Sequence, residues 1–94
     1  MEQFQFEWDK IKDKANQNRH RVSFETASLV FDDPLALSFP DRVVGSEERY
    51  LTLGSVGGVT FFSCCSSYRD RDGIEVIRII SARKATKHER RQYE

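Results

Sequence analysis

The stretch IEVIRIISAR, residues 74–83, limits the possible folds more than any other part of the chain. Read as extended backbone, it carries Val76, Arg78, Ile80 and Ala82 on one face and Ile77, Ile79, Ser81 and Arg83 on the other. A strand that is apolar on both sides belongs in the middle of a sheet. It needs partners on both flanks, and it raises the question of why guanidinium groups, costly to desolvate, stand at Arg78 and Arg83.

The partners can be read from the preceding residues. RYLTLGSV (49–56) and VTFFSCCSSYR (59–69) flank Gly57-Gly58, a hairpin signal, and DRDG (70–73) turns the chain into the central strand. LALSF (35–39) reads as a short strand and PDRVVGSEE (40–48) as an exposed loop. At the amino terminus FQFEWD (4–9) alternates Phe4, Phe6 and Trp8 with polar residues, the pattern of a half-buried strand.

Helices fill the remaining segments. Asp9 caps a polar helix over 10–20, whose apolar stripe is Ile11 and Ala15. Ser23 caps a second helix through Phe24, Ala27, Val30 and Phe31, which Asp32-Asp33-Pro34 ends because proline disfavours helical geometry in the residue before it. Thr86-Lys87-His88-Glu89 fits the capping box and opens a last helix. The order is β-α-α-β-β-β-β-α, an α+β domain with an antiparallel sheet packed by two N-terminal helices and a C-terminal helix.

At 94 residues the chain reads as one domain, 1–94, with too little core for a large substrate pocket. No apolar run is long enough to span a membrane, and MEQFQFEWDKIK carries acids where a secretion signal needs basic and then apolar residues, so a cytoplasmic location and no membrane partner are expected. The zero net charge hides a division: residues 23–50 carry −4, residues 51–68 no formal charge, and residues 69–91 carry +4. An acidic middle and a basic end suit a protein that meets a polyanion on one side. Cys64 and Cys65 are adjacent and diverge on a strand, which fits reduced structural cysteines; with no spaced histidines, the expectation is no metal site and no cofactor.

No phosphate loop, nucleotide fingerprint or serine elbow is present, so the candidates are basic residues and histidine. His20 lies at the end of the first helix between Arg19 and Arg21, where cations suit the helix dipole and where an RNA-phosphate contact or proton transfer is equally readable. Arg69 and Arg78 fall on neighbouring strands after the DRDG turn. Arg78 either meets a carboxylate such as Glu7, Asp9, Glu25 or Asp32, or lies on the floor of a groove open to phosphate. Arg83 and Lys84, at the end of the same strand, rim the surface.

FEWD (6–9), Asn16, Arg19-His20, SFE (23–25), the DP of 33–34, EERY (47–50), Leu53-Gly54, YRD (68–70) and the block IRIISARKAT with ER and YE near the end together resemble the BrnT toxins of type II toxin–antitoxin systems, over nearly the whole chain. The resemblance implies a fold similar to RelE-type ribonucleases, RNA cleavage that halts translation, and neutralisation by a BrnA antitoxin whose ribbon-helix-helix part binds the operator. It also implies a hetero-oligomer with paired toxins. His20 matches the family's histidine, Arg19 stands where lysine is usual, and Arg69 and Arg78 match arginines linked to toxicity. Arg21 replaces a common glycine, and Gly45 and Ser66 stand where many members have histidine.

The expected activity is therefore metal-independent endoribonuclease cleavage, with His20, Arg69 and Arg78 catalytic and Arg19, Arg83 and Lys84 binding RNA. A non-catalytic corepressor that binds the antitoxin, or a plain nucleic-acid-binding module, would share the same basic surface.

Overall fold

The computed structural model describes residues 4–93. Its elements are β1 (Phe4–Glu7), α1 (Lys10–His20), α2 (Phe24–Ser28) continued by a 3-10 turn (Leu29–Asp32), β2 (Leu37–Val44), β3 (Glu47–Val56), β4 (Val59–Arg69), β5 (Glu75–Lys84) and α3 (Lys87–Tyr93). This is the order read from the sequence. One five-stranded sheet runs β1-β5-β4-β3-β2, with β5 between β1 and β4 as its two-sided apolarity requires. The sheet is antiparallel except at one edge, where β1 pairs parallel to β5 from Phe4↔Glu75 to Glu7↔Arg78.

Local chemistry sets the boundaries. Asp9 accepts the amide hydrogens of Ile11 at 2.8 Å and Lys12 at 3.2 Å, which starts α1 and holds the Asp9 carboxyl below its ordinary range. Ser23 caps α2 through the Thr26 amide at 3.1 Å, and Asp13 of α1 accepts the Phe24 amide at 2.9 Å. Gly57 and Gly58, both at positive φ (57° and 83°), form the two-residue turn between β3 and β4. In α3 the Glu89 amide donates to the Thr86 hydroxyl at 3.2 Å while the Thr86 amide donates back to the Glu89 carboxylate at 2.9 Å, the reciprocal capping box.

The main core cluster lies on one face of the sheet. Val22, Phe24, Ala27 and Val30 pack onto Phe61, Ile79 and Ala82, with Phe6, Trp8 and Val56 at the margin. Trp8 meets Phe24 edge-on with centroids 6.4 Å apart, and Phe6 lies 5.5 Å from Phe31. Gly54 lets Val30 come close: a Cβ there would stand 2.7 Å from Val30 Cγ1.

Three expectations change. Ile11 is 81% exposed and Ala15 is exposed, so the apolar stripe of α1 is not its packing face; the helix instead buries Asn16. Residues 40–48 are not a loop but the end of β2, a turn at Gly45-Ser46 and the start of β3. All eight residues of β2 are exposed, and past Phe39 the run Pro40-Asp41-Arg42 carries no apolar alternation, so only the start of the strand is legible in the sequence. The alternation expected along β5 breaks as well: Cys64 pairs with Ser81 and Cys65 with Ile79, which leaves Ile80 as a bulge. Beyond that point the pleat is reversed, so Ala82 joins Ile77 and Ile79 on the face covered by α1 and α2, while Ser81 and Arg83 join Arg78 on the opposite face, which α3 meets at the Arg83 end and which is open at Arg78.

Candidate active site

Register and pleat together build a row of side chains on the open face. Glu7 of β1 pairs with Arg78 of β5, Arg78 with Ser66 of β4, and Ser66 with Arg49 of β3. Cross-strand partners point to the same side of a sheet, so these four side chains stand in line across four strands. Arg78 is exposed, and among the described residues no carboxylate approaches it within 4.0 Å, although Glu7 is its register partner. Arg78 is therefore not sealed in an ion pair.

Arg78 lines a recess with Glu7, Glu47, Ser66 and Tyr68. Ser66 is 4% exposed and donates its hydroxyl hydrogen bond to Glu47. Tyr68 donates to Glu7 at 3.4 Å, a long contact; partial desolvation first, and the Glu7 charge second, push the Tyr68 hydroxyl above its ordinary range, so it remains a proton donor at neutral pH.

His20 faces a different recess on the same side, formed with Asp41, Arg42, Leu51, Phe62, Cys64, Ser81 and Arg83. The two recesses share no lining residue, so His20 and Arg78 do not meet. Burial pushes the Cys64 thiol up despite the nearby Arg49 charge, and it pushes Cys65 up to about 11, so neither is a thiolate nucleophile at neutral pH.

The remaining predicted residues lie apart. Arg69 pairs with Glu75, three positions along both strands from the Ser66↔Arg78 pair. An odd separation reverses the pleat, so Arg69 sits on a neighbouring strand but on the other face from Arg78. Its Nη1 donates to the Gly73 carbonyl at 3.0 Å and clasps the turn. Arg83 grips Glu89 with both amino groups at 2.7 and 2.8 Å and stacks 4.9 Å over the Phe62 ring, which anchors α3. Arg19 and Lys84 are exposed. Sequence reasoning singled out neither Arg49 nor the acids of this face as site residues; the signal for Arg49 was its place in the first hairpin strand, opposite Ser66. Among the described residues no three His, Cys, Asp or Glu side chains gather as a metal site, and no helix is long and apolar enough to cross a membrane.

The family model described as "Ribonuclease toxin, BrnT, of type II toxin-antitoxin system" matches residues 8–89, which include His20, Arg49, Ser66, Arg69 and Arg78. The chain belongs to the BrnT family. BrnT proteins are ribonuclease toxins of type II systems, in which the partner is a protein antitoxin. No curated protein matches the chain. Within this BrnT protein, the Arg78 recess combines a cation, carboxylates and a phenolic donor.

Proposed function

We propose that this BrnT protein is a metal-independent endoribonuclease that inhibits translation, and that its reaction is centred on Arg78. The observation that carries this reading is the unpaired Arg78 guanidinium, held on a central strand beside Glu7, Tyr68 and Ser66. Cleavage by the RNA's own 2′-hydroxyl needs a proton acceptor, positive charge on the crowded phosphate and a proton donor for the leaving 5′-oxygen. In this reading Glu7 takes the 2′-hydroxyl proton as that oxygen attacks phosphorus, and Arg78 balances the extra charge on the phosphorane. Tyr68 gives its proton to the departing 5′-oxygen, so the products are a 2′,3′-cyclic phosphate and a 5′-hydroxyl. A cation rooted on a central strand keeps its charge close to where the phosphorane develops.

His20 belongs to the same open face but not to the Arg78 recess. We assign it, with Arg19, to a neighbouring nucleotide rather than to the reacting phosphate. Arg69 and Arg83 serve the β4–β5 turn and α3, and Lys84 remains a peripheral phosphate contact. The partner in this proposal is a BrnA-type antitoxin with a ribbon-helix-helix DNA-binding part, in a cytoplasmic hetero-oligomer that pairs two toxins and reaches the operator only through the antitoxin.

The test is incubation of the purified chain with RNA, with and without ribosomes and chelator, followed by end-group analysis. Chelator-insensitive cleavage leaving cyclic phosphate ends is expected, with Arg78→Ala reducing the rate about a hundred- to a thousandfold in a folded protein. No cleavage by the wild type under any of these conditions, or full activity in Arg78→Ala, overturns the reading. Antitoxin binding without cleavage would identify a corepressor instead.

A further inference from the structure

We infer that Arg49 is a second phosphate-contacting residue, which with Arg78 forms a two-sided clamp over Ser66. The inference rests on the ribonuclease reading and adds to it a residue on a different strand. Arg49, Ser66 and Arg78 are consecutive cross-strand partners, so both arginines rise from the open face on either side of one small, buried serine. With strands spaced roughly 4.8 Å apart, their backbones stand about 10 Å from each other, a gap that two long side chains can close onto one phosphate group.

The condition of Arg49 itself points to a missing anion. Its Nε is shut off from water and has no hydrogen-bond partner among the described residues. A buried guanidinium donor without an acceptor is destabilising, so the Arg49 side chain has no internal bond to hold it where it is, and a phosphate that drew it outward would satisfy the donor. The two acids just before it in the chain do not do so: Glu47 accepts from the Ser66 hydroxyl, and Glu48 accepts from the Tyr50 hydroxyl at 2.9 Å. Among the described residues no carboxylate comes within 4.0 Å of Arg49, so the row holds two guanidinium groups without an ion-pair partner on either side of the Ser66 hydroxyl that donates to Glu47; Arg49 borders an adjoining recess that shares Glu48 and Tyr50 with that of Arg78. The ligand class that fits is the backbone phosphate of a single RNA strand, gripped from both sides while Glu7 faces the sugar.

The experiment uses a ten-nucleotide 2′-O-methyl oligoribonucleotide, which cannot be cleaved because its attacking hydroxyls are blocked. Its affinity for the full chain is measured across a salt series. Arg49→Gln should weaken binding about tenfold and lower the steepness of the log-affinity against log-salt line by about 0.7, one phosphate contact on a single strand. Arg49→Lys, which keeps the charge but not the fork, should restore the steepness while regaining only part of the affinity. A purely structural arginine would change the melting temperature and leave that steepness unaltered.

If Arg49→Gln does not fold, the side-chain Nε–H resonance of Arg49 in the wild type is followed as inorganic phosphate and then the oligonucleotide are added; it should move with both. Wild-type affinity and steepness in folded Arg49→Gln, a stationary Arg49 resonance, or no binding by the wild type would each overturn the clamp. Because the probe is never cleaved, absence of turnover on natural RNA defeats the ribonuclease reading without deciding this one.

Discussion

Asn16 takes the place of a strand for Ala82. Its Nδ2 donates to the Ala82 carbonyl at 2.8 Å and its Oδ1 accepts the Ala82 amide hydrogen at 3.2 Å. β1 pairs with β5 only as far as Arg78, so the outer edge of β5 beyond it would otherwise be left open, and a helix side chain supplies the missing ladder bonds. The same Nδ2 also donates to the Val22 carbonyl at 2.9 Å, which ties α1 to the start of α2.

Asn16→Ala removes all three bonds from a buried site and leaves backbone groups unpaired. A loss of about 2–4 kcal/mol is expected in urea unfolding. Asn16→Asp should be at least as damaging at neutral pH, because it turns an oxygen toward two carbonyls. A loss below about 1 kcal/mol for either variant contradicts the edge-pairing account.

Gly54→Ala tests the close approach of the 3-10 turn to β3. The added methyl would meet Val30 Cγ1 at 2.7 Å, the Val30 carbonyl at 3.2 Å and Ala36 Cβ at 3.3 Å. A destabilisation of about 1–3 kcal/mol follows, since backbone and packed side chain must both give way. Val30→Ala should recover part of it in the double mutant, as residues in contact are not additive.

Arg21 ends α1 with φ 63° and ψ 27°, left-handed geometry in which its amide still donates to the Gln17 carbonyl at 2.9 Å. A side chain is strained there, and glycine is not. Arg21→Gly should therefore stabilise the fold by about 0.5–1 kcal/mol, read as a higher melting temperature, with the cap intact. An unchanged or lower melting temperature would mean that the Arg21 side chain contributes more than its backbone costs.

The Arg83 guanidinium holds the Glu89 carboxyl at about 2, down from an ordinary 4.5. Because the folded value is the lower one, the pair stabilises the protein above pH 4.5 and loses that contribution as pH falls toward 2. The shift alone would correspond to roughly 3 kcal/mol. Arg83's side chain is 38% exposed, so solvent screening brings the expected contribution to about 1–2 kcal/mol. Glu89→Gln should be less stable than wild type by that amount at pH 7, and the difference should vanish near pH 2; a gap that persists at pH 2 would mean that the ion pair is not its source.

Much of this fold was readable because local chemistry and burial agree. Asp9 and Ser23 are caps, Thr86 and Glu89 box each other, and Gly57-Gly58 turns between two apolar runs, so the element order followed. The first part of β2 was readable in LALSF, but its continuation over 40–44 escaped because it is an exposed edge segment with Pro40 and two charges, recognisable only by its pairing with β3. The parallel pairing of β1 with β5 joins residues about seventy positions apart, and neither segment carries a mark of it.

The site was legible in part for the same reason. Arg78 stood out as a charge in an apolar strand, but the faces of Arg69 and Arg49 depend on register, and those of Ser81 and Arg83 on a bulge that no residue type announces. His20 and Arg78 looked like partners in a list of basic residues, yet they line separate recesses.

The bulge at Ile80 works as a one-residue phase setting for the end of the chain. Everything after it keeps its side only while the number of residues there is conserved: removing one would turn Arg83 toward Phe24 and Val30, and Ala82 away from them. The segment from 79 to 84 should accordingly accept changes of residue type more readily than changes of length, as a coding sequence accepts base substitutions more readily than frameshifts.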